Sequence, residues 1–179
     1  MRNTTLFFRS PESVSVYSLN VPVPGGVRRL ASELHPRLTA FDTVRDRHTL
    51  VAKRLGDDSL DRHRERLRLP LRDVSPFEAR VTEIDFFERP TKGSAPVVYL
   101  VVESPGLFAL HDRLCEEFGS IDGLEGDDYV PHVTLARGGT LEDAEALAAL
   151  DIDPVTWTVS TLDLWNGKFR ESAATLRLR

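Results

Sequence analysis

Tyr129-Val130-Pro131-His132-Val133-Thr134-Leu135-Ala136-Arg137, closed by Gly138-Gly139, has the composition of a strand ended by a glycine turn. Side chains of a strand alternate faces, so Val133 and Leu135 project to one side and His132 and Thr134 to the other. The first side can be buried. The second presents an imidazole and a hydroxyl next to each other. Such a pair can donate hydrogen bonds to a phosphate oxygen, and the imidazole can carry a proton near neutral pH. The structural alternative is a strand histidine satisfied by a backbone carbonyl.

Working outward, the same pattern occurs twice. Tyr17 to Val23 alternates apolar and polar residues and reads as a strand. After the Gly25-Gly26 turn, Val27, Leu30, Ala31 and Leu34 mark one face of a helix that closes near Pro36. His48 to Leu55 is a strand stopped by Gly56-Asp57-Asp58, and Ser59 or Asp58 can cap a helix running to about Leu69. In the second half, Ala79–Glu88 is a strand and Val97–Val102, apolar on both faces, a central one. Ser104-Pro105 opens a helix with Leu107, Leu110, Leu114 and Phe118 as its buried stripe, ending at Gly119. An acidic loop over 120–128 leads into the His132 strand. Thr140 then caps a helix carrying Leu141, Ala144, Leu147 and Leu150. Two closing strands are predicted near Val155–Leu164 and Ala174–Leu178, joined by a turn at Asn166-Gly167. In each half, a strand containing histidine follows the first helix.

The composition bounds what such a chain can be. Its 179 residues fit one domain or two small lobes sharing a core. Apolar residues make up 41% and charged residues 28%, enough to bury a core. No apolar run reaches the roughly 18–20 residues of a membrane span. Leu6-Phe7-Phe8 is too short for a secretory signal, and the single cysteine, Cys115, excludes an internal disulfide and any CxxC motif. A cytoplasmic location is the expectation. The net charge of −5 argues against sequence-blind coating of nucleic acid. It hides an asymmetry: residues 45–72 carry nine Lys or Arg against five Asp or Glu, whereas residues 103–151 carry two against twelve. The basic segment reads either as a strip beside a phosphate site or as solvated helix faces.

Of the five histidines, three lie on predicted helices or helix ends. His63, among Arg62, Arg64, Glu65 and Arg66, and His111, beside Asp112 and Arg113, are expected to face solvent. His48 and His132 differ, since each begins an apolar strand at an equivalent place in its half. Halves that face each other would bring both imidazoles to one cleft, one as base and one as acid across a phosphorus centre. Glu125, Asp127 and Asp128 lack EF-hand spacing and read as a solvated acidic loop. There is no phosphate-loop, GxGxxG, GxSxG or HExxH motif.

Tyr129 to Arg137, with its context, resembles the second His-x-Thr/Ser-x motif of the 2′-5′ RNA ligase-like family of the 2H phosphoesterase superfamily. Tyr17 to Pro24 resembles that family's opening strand, and Pro76 to Val81 with Phe86-Phe87 its middle strand. Pro96 to Val102, followed by the helix with Leu110-His111-Asp112-Arg113-Leu114, resembles what precedes the second motif. The likeness runs from about Val16 to Gly139. Element order and resemblance together predict an α+β fold: two pseudo-symmetric lobes of antiparallel sheet, helices on the outer faces, and a central cleft. Residues 16–179 would form this single bilobal domain. Residues 1–15 fit none of the pattern and are expected to be a loosely held N-terminal extension, with Val16 an alternative point of initiation.

The first motif departs from the family's pattern. In Arg47-His48-Thr49-Leu50, a cleft-facing His48 leaves Leu50 at the hydroxyl position, and a cleft-facing Thr49 puts Arg47 at the histidine position. A bulge at Arg47-His48 would let His48 and Thr49 share a face. We place His48 in the cleft. The rival is an Arg47/Thr49 face that binds phosphate and cannot shuttle a proton. Lys53 shares a face with Thr49 and would neutralise substrate charge, unless it is merely exposed; Arg54 and Arg137 are further cationic candidates. Arg137 falls opposite His132 unless the strand end twists. Tyr129 either stacks a base or is buried with its hydroxyl bonded.

The resemblance implies a phosphoesterase needing no metal or other cofactor, with His48 and His132 as its catalytic pair. Thr134, Thr49, Lys53, Arg137 and Arg47 would hold the phosphoryl oxygens. It implies RNA ends or small cyclic nucleotides as partners, with no membrane and no obligate protein partner, and hydrolysis of a 2′,3′-cyclic phosphate as the reaction. The altered first motif raises an alternative: a catalytically impaired RNA- or nucleotide-binding module on the same scaffold.

Overall fold

The computed structural model describes residues 16–179, so the expectation for residues 1–15 lies outside the described residues. The elements run β1 (Tyr17–Val21), α1 (Gly25–Leu34), β2 (Thr43–Val44), β3 (Leu50–Gly56), α2 (Leu60–Leu71), β4 (Phe77–Phe87) and β5 (Val97–Glu103). They continue with α3 (Pro105–Phe118), β6 (His132–Arg137), α4 (Leu141–Ala148), β7 (Val155–Val159), β8 (Thr161–Asn166) and β9 (Glu171–Arg177). Two sheets result, ordered β3-β1-β8-β9 and β2-β6-β5-β4-β7, and every pairing is antiparallel. This is the α+β architecture expected.

Local chemistry explains the helix starts. Ser59 accepts from the Arg62 N–H, Ser104 from Leu107 and Thr140 from Asp143, each supplying an oxygen to an otherwise unpaired first-turn donor. Central β5 is buried on both faces from Val97 to Leu100. Helices α3 and α4 cover one side of the second sheet through β4, and α3 also packs on β3 of the first. Gly106, in the first turn of α3, lets that helix seat on β4, because a Cβ there would lie 2.4 Å from Phe77 Cβ. One continuous apolar cluster, from Leu19 and Leu50 through Leu100 and Leu135 to Leu164, joins both sheets. No helix among the described residues is long and apolar enough to cross a membrane.

Three expectations are corrected. The run read as one strand over Val155–Leu164 is two, because the chain leaves the second sheet after Val159 and joins the first at Thr161. The first-half histidine strand starts at Leu50, so His48 and Thr49 precede it. His63 and His111 are fully buried rather than solvated. His63 packs between the rings of Tyr17 and Phe118.

Candidate active site

Two one-residue bulges decide what enters the cleft. In β3, Lys53 faces Leu19 and Val51 faces Asn20, so Ala52 is an extra residue. In β6, Ala136 faces Val98 and Thr134 faces Tyr99, so Leu135 is extra. An extra residue reverses the alternation beyond it. Thr49, Val51 and Arg54 therefore share one side of β3, and His132, Thr134 and Arg137 share one side of β6. Strands β3 and β6 lie beside each other, and these two sides form the walls of one cleft.

The cleft has two adjoining parts. A cavity of about 260 Å³ is lined by Val51, Arg54, Phe87, Tyr129, His132 and Arg137, with Arg89 and Lys92 from the β4–β5 connection. One step along each strand, a groove is lined by Thr49 and Thr134 with Arg45, Arg47, Arg170 and Trp165. That lining contains three arginines and no carboxylate. The Arg47 guanidinium lies 4.8 Å from the Trp165 ring centre and donates to the Arg170 carbonyl at 2.5 Å.

His132 lines the cavity, two residues along β6 from Thr134 of the groove. Its Nδ1 is 2.6 Å from the Val130 carbonyl oxygen. A carbonyl only accepts, so Nδ1 carries the proton and Nε2 keeps its lone pair for the cleft. The rings of Phe87 and Tyr99, stacked at 4.3 Å, meet the imidazole edge-on at 5.3 and 5.2 Å. Burial pushes the His132 pKa below its ordinary value against the Val130 bond, and Arg54 and Arg137 push the same way. The neutral, proton-accepting form is thus favoured at neutral pH.

The other candidates are placed as follows. His48, expected as the second imidazole, lines neither the cavity nor the groove. It lines an adjoining hollow with Arg47, Thr49, Asn20 and Arg28, and another with Ala31 and His35 of the α1 region. The β3 bulge falls four residues too late to turn it inward, and the Arg47/Thr49 face is the one beside Thr134. Lys53 does not face substrate either. It is 2% exposed and its ammonium is taken by Glu125 and by the Arg54 carbonyl. Arg137 faces the His132 side, contrary to strict alternation, and its Nη1 donates to the Lys92 carbonyl at 2.9 Å. Tyr129 is buried with its hydroxyl donating to the Val51 carbonyl and its ring stacked on His111 at 3.7 Å. The basic strip divides: Arg45, Arg47 and Arg54 reach the cleft, while Arg62, Arg64 and Arg68 lie on the exposed face of α2.

Two residues that the sequence reading expects in solvent, Glu125 and His111, are buried and support the site. Glu125, expected in a solvated loop, is 3% exposed. Besides Lys53, its carboxylate accepts the N–H groups of Arg54 and Ile121 at 2.9 and 3.1 Å. His111 donates from Nδ1 to the carbonyl of Ala52, the bulge residue, and accepts from the Gly126 N–H at Nε2. Together they fasten the 120–130 loop, one wall of the cavity, to the β3 bulge, the other. A periodicity signal for His111 exists, since Leu107, Leu110, His111 and Leu114 share one helical face. None exists for Glu125, whose partner lies 72 residues away. Among the described residues, no group of three or more His, Cys, Asp or Glu is placed to hold a metal ion.

A model of the 2′-5′ RNA ligase superfamily matches residues 48–168, more than half of the chain. Among solved structures, TT0787 of Thermus thermophilus is similar at 23% identity and a TM-score of 0.62, covering 91% of this chain and 97% of that one. Escherichia coli LigT complexed with 3′-AMP is similar at 19% identity and a TM-score of 0.62, covering 92% and 95%. LigT complexed with phosphate gives 18% identity and a TM-score of 0.63, covering 92% and 97%. Among curated protein sequences, none matches.

Proposed function

The chain belongs to the 2′-5′ RNA ligase superfamily, and on that footing we propose that it is a phosphoesterase that opens a 2′,3′-cyclic phosphate with one histidine. The observation that carries this reading is the position of His132. With its Nε2 free, it lines a cavity suited to a nucleoside and shares one side of β6 with Thr134, which lines a groove suited to a phosphoryl group. Aromatic Phe87 and apolar Val51 and Leu124 offer the nucleoside surface. Thr49, Thr134, Arg45 and Arg47 offer the donors for phosphoryl oxygens. LigT structures holding 3′-AMP, phosphate, NADP+ or ATP support a nucleotide as the ligand.

In this mechanism His132 Nε2 takes a proton from water as the water oxygen bonds to phosphorus. The P–O3′ bond breaks and the ring opens to a 2′-phosphate. The departing 3′-oxygen carries its electron pair beside Arg47, which stabilises the charge. A guanidinium stays protonated and cannot serve as the acid. The proton returns to the 3′-oxygen from the His132 imidazolium or from solvent. Strain in the five-membered phosphate ring supplies driving force that an unstrained diester would lack.

Incubation with adenosine 2′,3′-cyclic phosphate, followed by phosphorus NMR, is expected to show accumulation of adenosine 2′-monophosphate. Arg47→Ala is expected to lower kcat/KM by about 10²-fold, at least ten times the cost of His48→Ala. The reverse order would put His48 back in the groove. The placement of His48 favours a second reading: a nucleotide-binding module without turnover. Saturable binding of the cyclic nucleotide with no product would select it.

A further inference from the structure

Arg47 is an exposed side chain between β2 and β3, and among the described residues no carboxylate pairs with it. An arginine so placed would ordinarily sample many rotamers. Two contacts hold its head instead: the Trp165 ring, at the 4.8 Å distance of a cation–π contact, and the Arg170 carbonyl, which accepts from Nη1. Both belong to the β8–β9 hairpin. In β8, Leu162, Leu164 and Asn166 are buried in turn, so alternation puts Trp165 on the opposite face. The turn that follows is built around Asn166, which is buried. Its Oδ1 accepts the N–H groups of Lys168 and Phe169 at 3.0 and 3.3 Å, and its Nδ2 donates to the Tyr17 hydroxyl at 3.1 Å. The Gly167 N–H donates to the Val16 carbonyl at 2.7 Å. Arg170 closes the turn with a φ of 56°, and it is the one non-glycine residue at positive φ among the described residues. That conformation is uncommon for a residue with a Cβ and persists where the surroundings fix it.

We infer that Trp165 and the Arg170 backbone are positioning residues, and that the β8–β9 turn holds the Arg47 guanidinium in the phosphoryl groove in place of a second imidazole. The inference rests on the reading of that groove as a phosphoryl site. Orientation matters for this group because its donors lie in a fixed planar fork, unlike the rotating donors of an ammonium. With one Nη1 hydrogen engaged by the Arg170 carbonyl and the Trp165 ring beside it, the plane of the fork is set before any ligand arrives. Its remaining donors are the ones offered to a phosphoryl oxygen. A guanidinium ordered in advance gives up less freedom when charge develops next to it. Trp165 therefore acts through Arg47, and its loss falls on kcat more than on KM, because Arg47 serves the departing 3′-oxygen.

A double-mutant cycle on the full chain tests this, read by turnover of adenosine 2′,3′-cyclic phosphate and by the calorimetric affinity for inorganic phosphate. Trp165→Leu is expected to lower kcat by about tenfold, with a smaller change in KM, and to weaken phosphate binding. Trp165→Phe keeps a π-face and is expected to recover most of that loss. In the Arg47→Ala background the same Trp165→Leu change is expected to add nothing further. If Trp165→Leu costs the same factor with and without Arg47, in both readouts, its positioning role is overturned. Arg170, at an exposed turn, gives an independent pair. Arg170→Gly and Arg170→Val remove the same guanidinium, and only glycine keeps a positive φ without strain. Arg170→Val is expected to cost at least about threefold more than Arg170→Gly when Arg47 is present, and no more when it is absent. Equal losses in the two would overturn the role of the turn. Thermal unfolding shows which variants keep the fold. Coupling in phosphate affinity without turnover of the cyclic nucleotide would leave the positioning in place and overturn the reaction proposed above. If neither phosphate nor the cyclic nucleotide binds, both readings fall.

Discussion

Replacing His132 by alanine is expected to lower kcat for cyclic-phosphate opening by about 10²–10⁴-fold, the range carried by one positioned proton-transfer group. The fold should persist. The ring is only partly buried, its one hydrogen bond is to the nearby Val130 carbonyl, and the apolar side of β6 is built by Val133 and Leu135. Thermal unfolding checks the fold, and turnover of the cyclic nucleotide checks the chemistry. The pH profile of the wild type follows from the same residue. Burial and two arginines lower the His132 pKa, so the base is neutral down to a pH below the ordinary histidine value. The rate should rise with pH through a midpoint below about 6.5 and hold level above it. A midpoint above that value would mean that a different group accepts the proton.

The second large effect is on stability. Lys53 and Glu125 are both buried and bonded to each other, and Glu125 also satisfies two backbone N–H groups. Removing either partner leaves an uncompensated charge in the interior, which costs about 3–5 kcal/mol. Lys53→Met and Glu125→Gln are therefore each expected to lower the unfolding free energy by about that much, measured by urea denaturation. The double variant should recover part of the loss, because it leaves neither charge behind. Additive losses would show that the pair is not coupled. Glu125→Gln should also loosen the 120–130 loop, which native-state hydrogen exchange reads at Ile121 and Gly126.

Much of this is legible in the chain. The two-residue alternation from His132 to Leu135, the doubly apolar run at Val97–Val102 and the capped helices are local signals, and local chemistry produces them. The failures are non-local or shift parity. Neither Ala52 nor Leu135 carries any mark of a bulge, since neither is a glycine and each continues an apolar pattern. Yet they turn Arg54 and Arg137 into the cleft and Lys53 out of it. The break at Ser160 is invisible because both flanking segments alternate as strands do, and only the two sheets tell them apart. The charged neighbours of His63 and His111 point to solvent, although each histidine lies on the apolar stripe of its helix, with Leu60 and Leu67 in one case and Leu107 and Leu114 in the other. Periodicity outweighs adjacency there. Glu125 has no signal at all, because its burial depends on a lysine in another lobe.

The central claim is that His132 is the imidazole that serves the phosphoryl groove from the adjoining cavity, with Arg47 where a second would stand. Nitrogen-15 labelling of the histidine rings, followed by NMR during titration with inorganic phosphate, tests it most directly. The account predicts that the His132 ring resonances move saturably and that its pKa rises in the complex, since a bound anion stabilises the imidazolium. The His48 resonances should not follow that isotherm. A phosphate titration that moves His48 with the same dissociation constant, while His132 stays still, would contradict it.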